Sequence, residues 1–139
     1  MFETSRHRRS VSVPVAQAPA VLEALITTYA VKADALATAA GSAPPLEAVQ
    51  DARRELAEAE DVLDALGWQT GPGALELTGP AGLVREVLYA TLLAVVEACG
   101  ERCREYEAGR VGPEALAAAV DDVGVVHGLF AGLEALDAW

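Results

Sequence analysis

The sequence predicts an all-α fold, a four-helix up-and-down bundle with a short extended segment at its N-terminus. Three observations predict this class. Four segments repeat apolar residues at the spacing of an amphipathic helix, and glycine and proline separate those segments. Alanine is the most frequent residue, which favours helix over sheet. The 139 residues suit a single domain with its own apolar core.

The N-terminal region divides into a basic arm and an extended segment. Residues 1–10 carry three arginines and one glutamate, and we expect a mobile arm ahead of one bundle domain at 11–139. Val11, Val13 and Val15 alternate with Ser12 and Pro14, which is the pattern of an edge strand. Residues 75–77 alternate in the same way. The segment 11–16 therefore either pairs with 75–77 in a minor β-ribbon or lies extended over the helices.

The first two helices are predicted over about 19–40 and 45–66. Gly41 ends the first helix, and the two prolines at 44 and 45 prevent its continuation. The expected core face of the first helix comprises Leu22, Leu25, Ile26, Tyr29, Ala33, Leu36 and Ala40. The second helix repeats apolar residues every seven positions, as a packed helical seam does: Val49, Leu56 and Leu63, each followed three residues later by Ala52, Ala59 or Leu66.

The third helix is predicted to run from Thr78-Gly79-Pro80, a polar cap with proline in the first turn, to about residue 108. Its apolar residues cover more than half of the circumference, and Tyr89, Leu93 and Val96 extend the apolar surface further. A helix that is apolar this far round is central or lies at a subunit interface.

A glycine-rich turn at 109–112 leads into the fourth helix, predicted over 113–137. Its expected core face comprises Leu116, Val120, Val123, His127 and Phe130. The most unusual feature is a row of three glycines four residues apart, at Gly124, Gly128 and Gly132, because each glycine costs about 1 kcal/mol relative to alanine inside a helix.

Three interpretations of the glycine row stay open: close packing against a helix of the same chain, contact with a second subunit, and a groove for a ligand. Leu129, Leu133 and Leu136 form a second apolar stripe beside the row. Because the third helix is also apolar nearly all round, the chain has more apolar helical surface than one bundle buries. This excess favours a homodimer, with an interface formed by the glycines, these leucines and Tyr89, Leu93 and Val96.

His127 is the candidate for chemistry or ligand binding. It could be a hydrogen-bonded core histidine, a polar contact in an apolar pocket with Tyr29 and Phe130, or a base acting with Glu97 or Cys99. A zinc site with Cys99, Cys103, His127 and Asp122 is conceivable, but the cysteine spacing is not that of the usual zinc motifs. We assign no catalytic residue, no metal ligand and no cofactor.

Composition excludes several classes of function. The net charge of −11 opposes binding to nucleic acid or to an anionic membrane, and the four-residue spacing of the two cysteines predicts free thiols in the cytoplasm. The bias of arginine over lysine is typical of GC-rich bacterial genes. No nucleotide-binding or hydrolase motif occurs. The sequence determines no specific activity; the leading hypothesis is a non-enzymatic bundle that acts through homodimerisation or association with another protein.

Overall fold

A computed structural model describes residues 8–41, 45–67 and 74–137. Its elements are strand β1 (Arg8–Val13), helix α1 (Ala18–Gly41), helix α2 (Leu46–Gly67), strand β2 (Leu75–Pro80), helix α3 (Ala81–Glu107) and helix α4 (Pro113–Asp137). The fold is an all-α bundle with one two-stranded ribbon, as the sequence predicts.

Helices that are neighbours in space run antiparallel. Lys32 of α1 contacts Glu55 of α2, and Tyr29, one turn earlier on α1, contacts Glu60, one turn later on α2. Lys32 also contacts Glu86 near the start of α3, whereas the beginning of α1 lines a groove with the second half of α3. Helix α4 packs back along α3, and α1 joins the two hairpins by packing on both α2 and α3.

The ribbon explains how the chain passes from the first hairpin to the second. Strand β2 returns along the bundle after α2, so that α3 starts near the end of α1 and runs in the same direction as α2. Strand β1 pairs antiparallel with β2, with Val11 opposite Leu77 and Val13 opposite Leu75. The ribbon covers one side of the bundle, where β2 contacts α2 and α3 and β1 contacts α3 and α4.

Strand β1 begins and ends three residues earlier than predicted, and β2 extends to Pro80 instead of ending at residue 77. Arg8, Arg9 and Ser10, assigned to the basic arm from the sequence, belong to β1. Pro14 ends the strand, and Val15–Gln17 form a single 3-10 turn in which Val15 is exposed. The turn buries Gln17, whose side-chain amide donates to the Asp122 carboxylate on α4 at 2.8 Å. The expectation that Val15 continues the strand is therefore wrong, because the proline has no N–H for the ladder.

The core lies between the ribbon and the helices. Its fully buried side chains include Val13, Val21, Leu25, Leu77, Val84, Val87 and Leu88. Helix α2 buries Ala59 and Leu66 of the predicted seam and also Val62, which the prediction did not include. The other seam residues are half-buried: Val49, Ala52, Leu56 and Leu63.

The predicted core face of α1 is rotated from the observed one. Val21, Ala24, Leu25 and Thr28 are buried, whereas Leu22 and Ile26 are exposed. Helix α1 carries apolar residues on most of its circumference, so its spacing alone did not determine which face meets α2, α3 and the ribbon. The predicted cap of α3 is also wrong: Thr78 lies in β2, where its hydroxyl is 2.9 Å from that of Ser10.

The turn between α3 and α4 is built around Gly109. This residue has a φ of +75°, in the left-handed region that glycine adopts without strain. Its N–H donates to the carbonyl of Tyr106, and the N–H of Arg110 donates to the carbonyl of Glu105. These bonds satisfy the last carbonyls of α3 and direct the chain into the antiparallel α4.

Candidate association surface

Helix α4 turns its bulkier apolar side chains inward and its small ones outward. Val126 and Leu133 are buried, and Leu116, Val123, Leu129 and Phe130 are half-buried. Val120 and His127, both predicted to lie on the core face, are exposed. That part of the prediction is wrong because the core face of α4 is centred on Val126 and Leu133, about one residue round the helix from the expected face.

The glycine row lies on the outward face of α4. A Cβ atom built on Gly124, Gly128 or Gly132 would meet nothing within 4 Å among the described residues. Helical spacing places Ala117, Val120 and Ala131 on the same face, and all three are exposed. Close packing within the chain, the first interpretation of the glycines, therefore does not explain them.

Helix α3 exposes a second apolar stripe. Tyr89, Leu93 and Val96 are 51%, 52% and 48% exposed, respectively. The contacts Arg85–Glu134 and Tyr89–Phe130 fix the antiparallel register of α3 and α4. That register places Leu93 level with Val126 and Val96 level with Val123. The α3 stripe therefore lies beside the middle of α4, at the same height as the glycine row.

The leucines of the predicted interface are less exposed than the apolar stripe of α3. Leu133 is 2% exposed and belongs to the core of its own chain, so its assignment to the interface is wrong. Leu129 is half-buried and packs against that core. The side chain of Leu136 lies outside the described residues. The apolar stripe beside the glycines faces inward because α4 needs it to bind α3 and the ribbon.

Polar and aromatic contacts hold α4 in this orientation. The Arg85 guanidinium of α3 donates two hydrogen bonds to the Glu134 carboxylate, at 2.9 Å and 3.1 Å, and lies over the Phe130 ring. The same bonds lower the pKa of Glu134. The Phe130 and Tyr89 rings are in contact, with their centroids 5.6 Å apart. These contacts fix which face of α4 is turned away from the bundle.

The structure does not bring the residues of the proposed pocket together. Tyr29 points to α2, where its hydroxyl is 3.4 Å from the Glu60 carboxylate, whereas Phe130 packs on α3. His127 is exposed, and it shares no hydrogen bond or ion pair with the described residues. A groove of about 500 Å³ does exist, but it lies between α1 and α3; its lining includes Ala24, Thr27, Leu93 and Glu97, and not His127.

The catalytic and metal hypotheses also lack an assembled site. Glu97 lines the groove beside α1, away from the surface that carries His127. Cys99 and Cys103 are half-buried free cysteines, and burial together with the neighbouring Cys103 raises the pKa of the Cys99 thiol. A raised pKa disfavours the nucleophilic thiolate at neutral pH. In the part of the chain that the structure describes, no three potential ligands are grouped to hold a metal ion.

Residues Pro113–Ala135 also form, among the described residues, the one helix that is long and apolar enough to cross a membrane by length and composition alone. Its mean hydropathy is 1.5, and 11% of the most apolar part is buried in the protein.

No family model matches the chain, and neither a curated protein nor a solved structure shows significant similarity to it.

Proposed function

We propose that this protein acts by self-association through the open surface of α3 and α4. This association surface comprises Val120, Gly124, Gly128 and Gly132 on α4 and Tyr89, Leu93 and Val96 on α3. The outward position of the glycine row carries the proposal. Three glycines lower helix stability by about 3 kcal/mol in total relative to alanine, and no residue in the described part of the chain packs closely on them.

A second protein surface gives those glycines a physical role. Without side chains, the backbone of α4 is accessible to a helix that approaches more closely than larger residues would allow. The apolar side chains of α3 that flank the row supply the area that loses contact with water. Small residues that allow close approach and apolar side chains that lose contact with water both favour a packed helical interface, and here they occur on adjoining helices at the same height.

The size of the surface fits a second copy of the chain. The association surface runs from Val120 to Gly132, about 20 Å along α4, and two adjacent helices give it a width of about 20 Å. The resulting ~400 Å² per copy is about half of the ~800 Å² that each partner contributes to a standard stable complex, and it fits a weak, reversible dimer. A role in binding is also supported by the separation of His127, Glu97 and Cys99, which assemble no catalytic group.

The experiment is sedimentation equilibrium of the full chain at 1–100 micromolar concentrations, on the order of typical weak-to-moderate dissociation constants. We expect a monomer–dimer equilibrium. Leu93→Gln should weaken the dimer at least about tenfold, because it places a polar group at the centre of the surface. Leu46→Gln is the matched control, since Leu46 is also exposed but lies at the start of α2. The control should leave the dissociation constant unchanged.

A chain that stays monomeric over the whole concentration range contradicts the proposal. The same preparation should then be mixed with vesicles of neutral phosphatidylcholine. Co-sedimentation of the monomer with those vesicles would favour a membrane surface as the partner of α4 instead. Equal effects of Leu93→Gln and Leu46→Gln on a dimer that does form would place the interface elsewhere.

A further inference from the structure

We infer that two copies meet with their α4 helices antiparallel, related by a two-fold axis near residue 126. The inference rests on the proposed self-association and specifies its geometry. In this arrangement Gly124 of each copy lies opposite Gly128 of the other. Neither position carries a Cβ atom, and no described residue covers them, so the two backbones can approach closely there.

Charge on the outward face of α4 selects the antiparallel orientation. Its N-terminal half carries Glu114 and Asp121, both exposed. The C-terminal half of the same face, at Gly128, Ala131 and Ala135, has no charge. An antiparallel partner therefore places the acidic half of each helix against the uncharged half of the other.

The two orientations differ in the distance between the Asp121 residues of the two copies. With parallel helices the two Asp121 residues lie at the same height, separated by about one helix diameter or less, about 10 Å. With the two-fold axis near residue 126, they are about 15 Å apart along the helix axis at ~1.5 Å per residue. Together with the ~10 Å between the helices this makes ~18 Å, about twice the Debye length of about 8 Å at physiological ionic strength, so the repulsion is screened more strongly than at ~10 Å in the parallel pair. The opposed helix dipoles also favour the antiparallel pair.

The position of the α3 stripe agrees with the same axis. An interface with two-fold symmetry uses one patch on both copies, centred on the axis. Tyr89 and Val96 lie on either side of Leu93, and the register of α3 and α4 places Leu93 level with Val126. The apolar stripe of α3 and the close approach of α4 are thus centred at the same height.

Distances between spin labels test the orientation. Nitroxide labels are attached to Ala117→Cys or Ala135→Cys in a chain that carries Cys99→Ser and Cys103→Ser. The antiparallel dimer predicts a separation of ~27 Å along the helix axis for each singly labelled protein, since each site is nine residues from the axis. A mixture of the two labelled proteins should give a short distance in addition. Light scattering on the labelled proteins reports whether they are dimeric.

The outcomes separate the two proposals. Short distances in each singly labelled dimer would mean parallel helices, which overturns the orientation and retains the self-association. An unlabelled chain that is monomeric overturns the self-association itself. Where a label disrupts the dimer, Asp121→Asn decides: an antiparallel dimer keeps its dissociation constant within about twofold at low salt. A parallel dimer would instead tighten several-fold, because the substitution removes two like charges that face each other at the same height.

Discussion

Glycine occurs on both sides of the molecule, and the reasons differ. Gly79 lies buried in β2, where a Cβ atom would come within 2.6 Å of Cγ2 of Val62 on α2. The three glycines of α4 lie on the opposite, open side, where a Cβ atom would meet no described residue within 4 Å. The ribbon side thus needs a glycine for its own packing. On the open side, glycine lowers helix stability and no described residue packs against it, which is the observation behind the proposed self-association.

The largest expected difference between the two sides concerns leucine. Leu133→Ala should lower the free energy of unfolding by about 2–5 kcal/mol, because it leaves a cavity in the core. Leu93→Ala should change the stability of the monomer by less than about 0.5 kcal/mol, since the side chain is half exposed. Urea denaturation at submicromolar concentration, below the range in which we expect dimers, measures both. Equal losses would mean that Leu93 on α3 is packed in the monomer as tightly as Leu133 on α4, which contradicts an open surface at Leu93.

Gly79→Ala should follow, with a loss of about 1–3 kcal/mol from overpacking against Val62. Val62 is branched at Cβ and buried, so its methyl group has little freedom to move away. The thermal denaturation midpoint measures this loss. The combination with Val62→Ala is the control, because the smaller side chain makes room for the new Cβ. If Gly79→Ala costs the same in both backgrounds, the close approach to Val62 is not its cause.

Alanine in the glycine row should have the opposite sign. Each of Gly124→Ala, Gly128→Ala and Gly132→Ala should stabilise the monomer by about 1 kcal/mol through helix propensity. The same substitutions should weaken dimerisation, because each new methyl group separates the two α4 backbones. Urea denaturation of the dilute monomer and sedimentation of the concentrated protein measure the two effects. A triple variant that is more stable and dimerises equally well would remove the reason for the glycines that we propose.

The smallest expected effect concerns the ion pair between Arg85 and Glu134, which helps to orient α4. Because Arg85 lowers the pKa of Glu134, this pair stabilises the fold at pH values above the carboxyl group's ordinary pKa, near 4.3. The contribution disappears as the pH falls through the lower pKa of the folded state. Glu134→Gln should therefore be less stable than the parent at pH 7, and the difference should shrink on acidification. Arg85→Met provides the double-mutant cycle; coupling that is independent of pH would exclude this ion pair as the cause.

How well the buried face of each helix could be predicted depended on how its apolar residues are distributed around the helix. Helix α2 is charged on one side and apolar on the other, so most of its inward face was predicted: Ala59 and Leu66 are buried as expected, whereas buried Val62 was missed. Helices α1, α3 and α4 are apolar over much of their circumference, and their spacing fits more than one face. Leu22 and Ile26 were consequently assigned to the core although they are exposed, and Leu133 to an interface although it is buried.

The candidate surface was predicted in part. The glycine row and the stripe at Tyr89, Leu93 and Val96 were identified from spacing and from excess apolar area. The outward position of Val120 and His127 was not, because it depends on how Arg85 and Phe130 fix the rotation of α4. Those contacts join residues about 40–50 positions apart, which local periodicity does not report.

The pairing of β1 with β2 has a consequence for the order in which the molecule folds. Ser10 and Thr78 are 68 residues apart, whereas each helical hairpin closes through a short turn. Closing a long chain segment costs more entropy than closing a short one. We therefore expect the two hairpins to form early and the N-terminal strand to join last. In unfolding, the strand should detach first, which would break the hydrogen bond between Gln17 and Asp122 before either hairpin comes apart.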